Sequence, residues 1–299
     1  MKESKEILAV GSIAFDTIKT PNGSREKLLG GSSTFFGIAS SYYTKISLIG
    51  VVGTDFTDNE WELFKKYNIN TQSVEVISGD TFSWGGEYNE DYSIRETLFT
   101  ELGVFENFKP NITFQNENPI LYLGNIQPQL QLDVISKVKN PYLIAADSMN
   151  LWIDLFPKDV WKLISKVNIL FLNDEEAMQL TGNTNLEEIA NEFLNTGPDI
   201  VIIKLGSKGS MLATGDKKVH LSVVPDISII DPTGAGDSFA GGVLGYIAIN
   251  GYNNLIDAVK HGTAVASYTV SDFGINGLCK IKKDQLDKKI ALIKKINSE

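Results

Sequence analysis

The residues Asp231-Pro-Thr-Gly-Ala-Gly-Asp-Ser-Phe-Ala-Gly-Gly242 have types and a spacing suited to phosphoryl chemistry. An apolar run at 223–230, interrupted by Pro225, Asp226 and Ser228, leads in, and a longer apolar run at 239–249 follows. The pattern predicts strand, glycine turn, helix. Gly234 and Gly236 let the backbone fold tightly there. The amides from Gly234 through Ala235 and Gly236 to Asp237 would then lack helical partners, and together with the helix dipole they form a spot that attracts phosphate. Asp237 is poorly placed to bind that anion. It is well placed to take a proton from a hydroxyl that attacks it. The competing reading is a helix start capped by Asp237, with the glycines serving only the turn.

The whole stretch resembles the C-terminal signature of the ribokinase-like (pfkB-type) carbohydrate kinases. There the last Asp is the catalytic base and the turn is the anion hole. The match is long and far more specific than a lone glycine motif. Gly11-Ser-Ile-Ala-Phe-Asp16 fits the family's Asp after the first strand, which holds substrate hydroxyls. One carboxylate can accept from two hydroxyls on adjacent carbons. Leu28-Leu-Gly-Gly-Ser-Ser-Thr34 resembles the N-terminal Gly-Gly signature, with Gly30 and Gly31 letting a ligand approach the backbone. Many members carry an Asn shortly after those glycines. This chain has Phe35 and Phe36 instead, so a polar substrate contact is missing.

Asn173-Asp-Glu-Glu176 looks like the family's Asn-x-x-Glu motif. In that family Glu176 would orient waters around Mg²⁺, and Asn173 would help place phosphate on the nucleotide side. The chemistry suits an ion that keeps several of its waters. Read alone, the motif is an Asn cap with an acidic first turn. Lys204-Leu-Gly-Ser-Lys-Gly209 fits a turn that lies along the nucleotide in the family. The resemblance places Lys204, Gly206, Gly209 and Thr233 near the ATP. It is not a Walker loop, which needs a different spacing. Val270-Ser-Asp-Phe-Gly274 resembles the loop that, with the backbone near Asp231 and Thr233, often binds a monovalent cation such as K⁺.

Two further readings come from the residues themselves. Asp147 stands at a strand C-end, where ligands of open parallel sheets collect, and is a candidate substrate-binding residue; a helix cap is the alternative. Arg95 is expected to pair with Glu87 across a hairpin in 80–105, where Trp84 and Tyr88 suit stacking on a sugar or base face.

Composition sets the wider bounds. A chain of 299 residues with 42% hydrophobic content can bury a sizeable core. A net charge of −10 argues against nucleic acid or an anionic membrane as partner. The single Cys279 fits a reducing cytoplasm. The charged start Met-Lys-Glu-Ser-Lys-Glu does not read as a signal peptide, and no run is long enough for a membrane span.

Strand-like runs at 7–13, 46–52, 119–123, 142–146, 167–172 and 200–205 alternate with helical stretches. Ser32 or Ser33 reads as the cap of the first helix, and 285–296 as the last helix. Such alternation predicts a three-layer α/β/α sandwich with a largely parallel sheet. The expected organisation is one ribokinase-like domain over 1–299, with β-lid segments inserted at about 14–30 and 80–105. An exposed hairpin edge invites a homodimer through that lid. The implied reaction is ATP-dependent phosphorylation of a sugar hydroxyl. The alternatives are a nucleoside acceptor, or a non-catalytic sugar sensor that would have no need to keep Asp237.

Overall fold

The computed structural model describes residues 4–113 and 117–296. Residues 1–3, part of the charged start read above, and 297–299 lie outside them. The strands are β1 (Ile7–Val10), β2 (Ala14–Thr20), β3 (Gly23–Gly30), β4 (Ile46–Gly53), β5 (Ile69–Ile77), β6 (Ser83–Tyr88) and β7 (Arg95–Glu101). They continue with β8 (Ile120–Leu123), β9 (Leu143–Ala146), β10 (Ile169–Asn173), β11 (Ile200–Lys204), β12 (Ser210–Thr214), β13 (Lys218–Leu221) and β14 (Lys295–Ile296). Among the described residues, ten form one sheet in the order β14-β13-β12-β11-β10-β9-β8-β1-β4-β5. The seven from β11 to β5 in that order are parallel to their neighbours, and β12, β13 and β14 add an antiparallel margin.

Both faces of this sheet are covered, which explains why its strands read as unbroken apolar runs. Ile7 and Ala9 of β1 face one core, with the helices Ser32–Ser41, Ala235–Asn250 and Leu255–Thr269. Leu8 and Val10 face the other, with Pro128–Lys137, Pro157–Ile164 and Leu186–Thr196. The three-layer expectation holds. From β1 the chain builds outward through β4 and β5 on one side and through β8 to β11 on the other. The strand C-ends flanking that reversal are where open α/β sheets receive ligands.

The helix Ala235–Asn250 is apolar nearly all round because it is enclosed on several sides. Its glycines permit the close approach. A Cβ on Gly241 would meet Ala39 at 2.8 Å, and one on Gly242 would meet the Gly262 backbone at 2.8 Å. This holds the N-terminus of the helix rigidly between two neighbours.

A second sheet of four strands, ordered β3-β2-β6-β7, stands apart from the first. Both segments expected as an insertion contribute to it, 14–30 as β2 and β3 and 80–105 as the antiparallel pair β6–β7. Ile18 and Tyr88 pack against Phe273, joining this sheet to the loop after Leu255–Thr269.

Four local expectations are corrected. Residues 223–230 form no strand: Pro225 has no N–H to give a ladder, Asp226 turns with φ 58°, and Ile230 bonds the Val270 carbonyl instead. The first helix is led by Gly31 at φ 87°, not capped by a serine. Ser32 binds Ser12, each hydroxyl accepting from the other's amide at 3.0 and 3.1 Å, which ties the end of β1 to the helix start. The last helix stops at Leu292, and Lys295–Ile296 pairs with β13. Arg95 does not pair with Glu87; it faces Tyr88 across the hairpin, and its guanidinium lies 5.4 Å from the Trp84 ring centre. An exposed ion pair is worth little, so the guanidinium is free to lie over the indole face instead.

Candidate active site

Gly234 leads the helix Ala235–Asn250 in the left-handed region, φ 73°. An added Cβ there would lie 2.2 Å from the Phe35 ring, so both the dihedral and the space require glycine. The Ala235 amide donates to Pro232 O at 3.2 Å, and the first regular helical bond is Ser238 N–H to Gly234 O at 2.9 Å. The amides of Gly236 and Asp237 precede that bond, at the positive end of a long helix. Of the three glycine-turn residues expected to face an anion, Ala235 is therefore the one whose amide is already engaged.

Asp231 anchors the turn from below. It is fully buried, and its carboxylate accepts from the Thr233 amide at 2.9 Å and the Gly274 amide at 2.8 Å. The structure thus brings the loop Val270-to-Gly274 against Asp231 and Thr233, as the resemblance implies, with both Asp231 oxygens occupied by amides. The Thr233 hydroxyl lies 3.0 Å from the Tyr88 hydroxyl of β6, so the second sheet reaches the glycine turn.

Three expected residues stand side by side at strand C-ends: Asp147 just after β9, Asn173 ending β10 and Lys204 ending β11. Lys204 Nζ donates to Asp147 Oδ2 at 2.6 Å. It also lies where a Cβ on Gly236 would come within 3.1 Å of it, so this cation reaches the glycine turn. Burial works against its charge, yet Asp147 and Glu176 outweigh burial and hold the ammonium above its usual range. Asp147, expected at the substrate, serves here as the counterion of Lys204.

Asn173 and Glu176 form a reciprocal capping box: Glu176 N–H to Asn173 Oδ1 at 2.7 Å, and Asn173 N–H to Glu176 Oε2 at 2.9 Å. The cap reading and the site reading are therefore compatible. Glu176 is buried, which pushes its carboxyl up to about 7, against the pull of Lys204.

The two glycines of the next turn differ. Gly209, φ 94°, is fixed by packing, since a Cβ would fall 1.9 Å from Leu221 O. Gly206, φ 56°, is exposed with open space beside it, as a ligand-facing backbone requires.

On the other side of the turn, Asp16 on β2 is buried beside Gly30 and Gly31. A Cβ on Gly30 would sit 1.9 Å from Asp16 Oδ2. Burial pushes Asp16 up to about 7; a bond from the Gly31 amide opposes this, and the charges of Asp231 and Asp237 add to it. Asp237 is likewise pushed up to about 7, by burial first and then by Asp147, against Lys204, its own amide and Tyr122. Asp147 from beyond β9 and Asp237 from the helix start thus share Lys204 as a neighbouring cation, while Asp16 from β2 feels the charges of Asp231 and Asp237.

Tyr122 was read from sequence only as part of a core strand. It is fully buried and stacks on Phe36, and burial, with Asp237 adding, pushes its hydroxyl up. The available signal was a lone hydroxyl in the apolar run Ile120–Leu123. No group of three or more His, Cys, Asp or Glu able to hold a metal occurs among the described residues. No helix among them is long and apolar enough to cross a membrane.

A family model described as pfkB family carbohydrate kinase matches residues 5–281. The chain is 28% identical to a cytidine kinase of Thermococcus kodakarensis, over 80% of this chain and 87% of that one. It is 24% identical to a ribokinase of Staphylococcus aureus, over 79% of this chain and 77% of that one. The crystal structure of a nucleoside kinase from Methanocaldococcus jannaschii superposes with a TM-score of 0.79 at 24% identity, covering 97% of this chain and 99% of the other. The three-layer fold, the glycine-led helix start and the family match over nearly the whole length agree: the chain belongs to the pfkB family of carbohydrate kinases.

Proposed function

We propose that the chain is an ATP-dependent kinase that phosphorylates a hydroxyl of a nucleoside, with Asp237 as general base. The observation that carries the base assignment is the position of Asp237 in the first turn of a helix whose leading amides are unpaired by the helix. A carboxyl at about 7 is poised to accept a proton near neutrality. In this reading Asp16, seated against Gly30 and Gly31, holds the hydroxyls of the ribose. Asp237 takes the proton of the attacking hydroxyl, and the Gly236 and Asp237 amides with Lys204 stabilise charge on the transferring phosphoryl group. Mg²⁺, when bound, neutralises triphosphate charge; Asn173 and Glu176 are the residues suited to hold it through water. Gly206 receives the nucleotide on the exposed side of β11.

Two features favour a nucleoside over a bare sugar as acceptor. Phe35 and Phe36 follow the glycines where many members of the family carry an Asn, and the Phe35 ring packs on Gly234 rather than offering a polar contact. The second sheet, which we take as the lid, brings Trp84 and Tyr88 as flat surfaces for a base. The cytidine and nucleoside kinase relatives support the same choice. Exposed Ile94, Leu98 and Leu102 along the open edge at β7 are the proposed contact of a homodimer.

ADP release with ATP and a panel of nucleosides, ribose and fructose tests the proposal. Turnover with a nucleoside is the expected result. Turnover only with free sugars would return the acceptor to the sugar class. Sugar binding without turnover on any acceptor would favour a sensor and overturn the kinase reading.

A further inference from the structure

Residues 229–233 lead into the glycine turn, yet they belong to no strand or helix. Without a ladder of its own, such a segment takes its shape from the groups that satisfy its backbone. These come from two sides. On one side the Ile230 and Asp231 amides both donate to the Val270 carbonyl, at 2.7 and 3.3 Å. On the other side the second sheet supplies the donors. Asn22, in the turn between β2 and β3, gives its side-chain amide to the Ile229 carbonyl at 3.1 Å and to the Tyr92 hydroxyl at 2.5 Å. Tyr92, in the turn between β6 and β7, brings that hydroxyl to 3.5 Å from the Ile230 carbonyl. Tyr88, the last residue of β6, sets its own hydroxyl 3.0 Å from that of Thr233. The apolar contacts follow the same line, with Ile230 packed on the cluster of Ile18, Tyr88 and Phe273. One end of the second sheet thus grips the segment at Ile229, Ile230 and Thr233. The last grip lies next to Gly234, whose φ of 73° sets the helix start.

We propose that Tyr88 is a positioning residue of the glycine turn: through the Thr233 hydroxyl it fixes the backbone leading into Gly234, and so ties the aim of the Gly236 and Asp237 amides to the seating of the second sheet. This rests on the kinase reading, in which those amides receive the transferring phosphoryl group. The coupling is reciprocal. What a seated sheet does for the turn's hold on a phosphoryl group, a phosphoryl group in the turn does for the sheet. The same sheet carries Asp16 on β2, the residue assigned to the acceptor. The turn is therefore fully set when the sheet that meets the acceptor is in place. The Tyr88 ring and hydroxyl have separable tasks. The ring packs on Ile18 and Phe273, and only the hydroxyl reaches Thr233.

The test compares two nucleotides by calorimetric titration of the full chain with Mg²⁺. One is ADP. The other is the non-hydrolysable β,γ-methylene analogue of ATP, which alone brings a third phosphoryl group to the turn. Tyr88→Phe keeps the ring and its packing and removes only the hydroxyl. It should weaken the analogue about fivefold, the size of one neutral hydrogen bond, and ADP by less than about twofold. Thr233→Val should show the same selective loss. Adding Tyr88→Phe to it should cost less than about twofold more, because one pair of hydroxyls carries both effects. An analogue affinity that Tyr88→Phe leaves unchanged overturns the proposal. So does an equal loss for both nucleotides, which would mark a general disturbance of the fold. A full further loss in the Thr233→Val background also overturns it, since the Tyr88 hydroxyl would then act elsewhere. The two levels fail separately. A wild type that binds neither nucleotide removes the kinase reading and the role of Tyr88 with it. A wild type that binds both, with no response to Tyr88→Phe, removes only the role of Tyr88.

Discussion

Two helices of this molecule begin in the same way and lie against each other. Ser32–Ser41 follows Gly31 at φ 87°, and Ala235–Asn250 follows Gly234 at φ 73°. Neither has a side-chain cap, but their leading amides differ: at the first helix Ser32 and Ser33 N–H donate to the Ser12 hydroxyl and carbonyl, whereas at the second the amides of Gly236 and Asp237 precede the first helical bond. They touch through Phe35, whose ring rests on Gly234. They differ in where the carboxylate comes from. The second helix carries Asp237 in its own first turn, and the first has no acidic residue there. Its carboxylate, Asp16, is delivered by β2 and fits only because residue 30 is glycine. In the proposed function one backbone device serves two tasks. An acid built into the turn moves with the anion hole and suits proton transfer; an acid borne on a separate sheet suits holding an acceptor that the sheet also covers.

Removing the carboxylate of each start should separate the two tasks. Asp237→Asn is the largest expected effect, a loss of about 10²–10⁴-fold in kcat with ATP binding retained in a calorimetric titration. Near wild-type turnover would remove the distinction drawn here. Gly30→Ala forces the Asp16 carboxyl aside and should raise the acceptor KM by about 10²-fold while leaving the ATP KM nearly unchanged, as steady-state kinetics would show. An equal rise in both would mean that the first helix start does not serve the acceptor alone.

Proton linkage tests the shared field. Asp16, Asp237 and Glu176 are all raised to about 7, so the folded protein binds protons that the unfolded chain releases. Their contribution to stability is complete below the usual carboxylate range, near 4, and is lost as pH rises through about 7. Thermal melts of the unliganded protein should therefore fall between pH 5 and pH 8 (roughly the span of those values). Asp237→Asn should flatten the fall and melt higher than wild type at the upper pH. A wild-type curve that rises over that span would contradict the electrostatics of both starts. The smallest effect is expected at a glycine belonging to neither: Gly206→Ala, with open space around it, should cost only about 1–2 kcal/mol for its left-handed backbone. Chemical denaturation would measure it, and a cost several times larger would place packing there that the structure lacks.

Much of the site was legible because local chemistry dictates it. The run from Asp231 to Gly242 combines a turn, a helix start and an acid within one short segment. The capping box of Asn173 and Glu176 is likewise a matter of residues three apart. The apolar strands were legible because both faces of the sheet are buried. What failed in sequence concerned partners that spacing cannot name. Arg95 and Glu87 are close in the hairpin, yet the guanidinium found the Trp84 ring. Ser32 looked like a cap and instead bonds Ser12, twenty residues away in sequence. Residues 223–230 had strand-like content but no edge to join.

The sequence by itself determined the three-layer alternation, which follows from periodicity, and carried in the motif at 231–242 the resemblance to the family and the expectation that this segment meets a phosphate. Only the tertiary structure decided which groups share a field. It set Lys204 against Asp147 and Gly236, and buried Asp16 under the Gly30 backbone. Those pairings join strands and helices far apart in the chain. Their strength depends on burial and on the identity of every neighbouring charge, which no local pattern records.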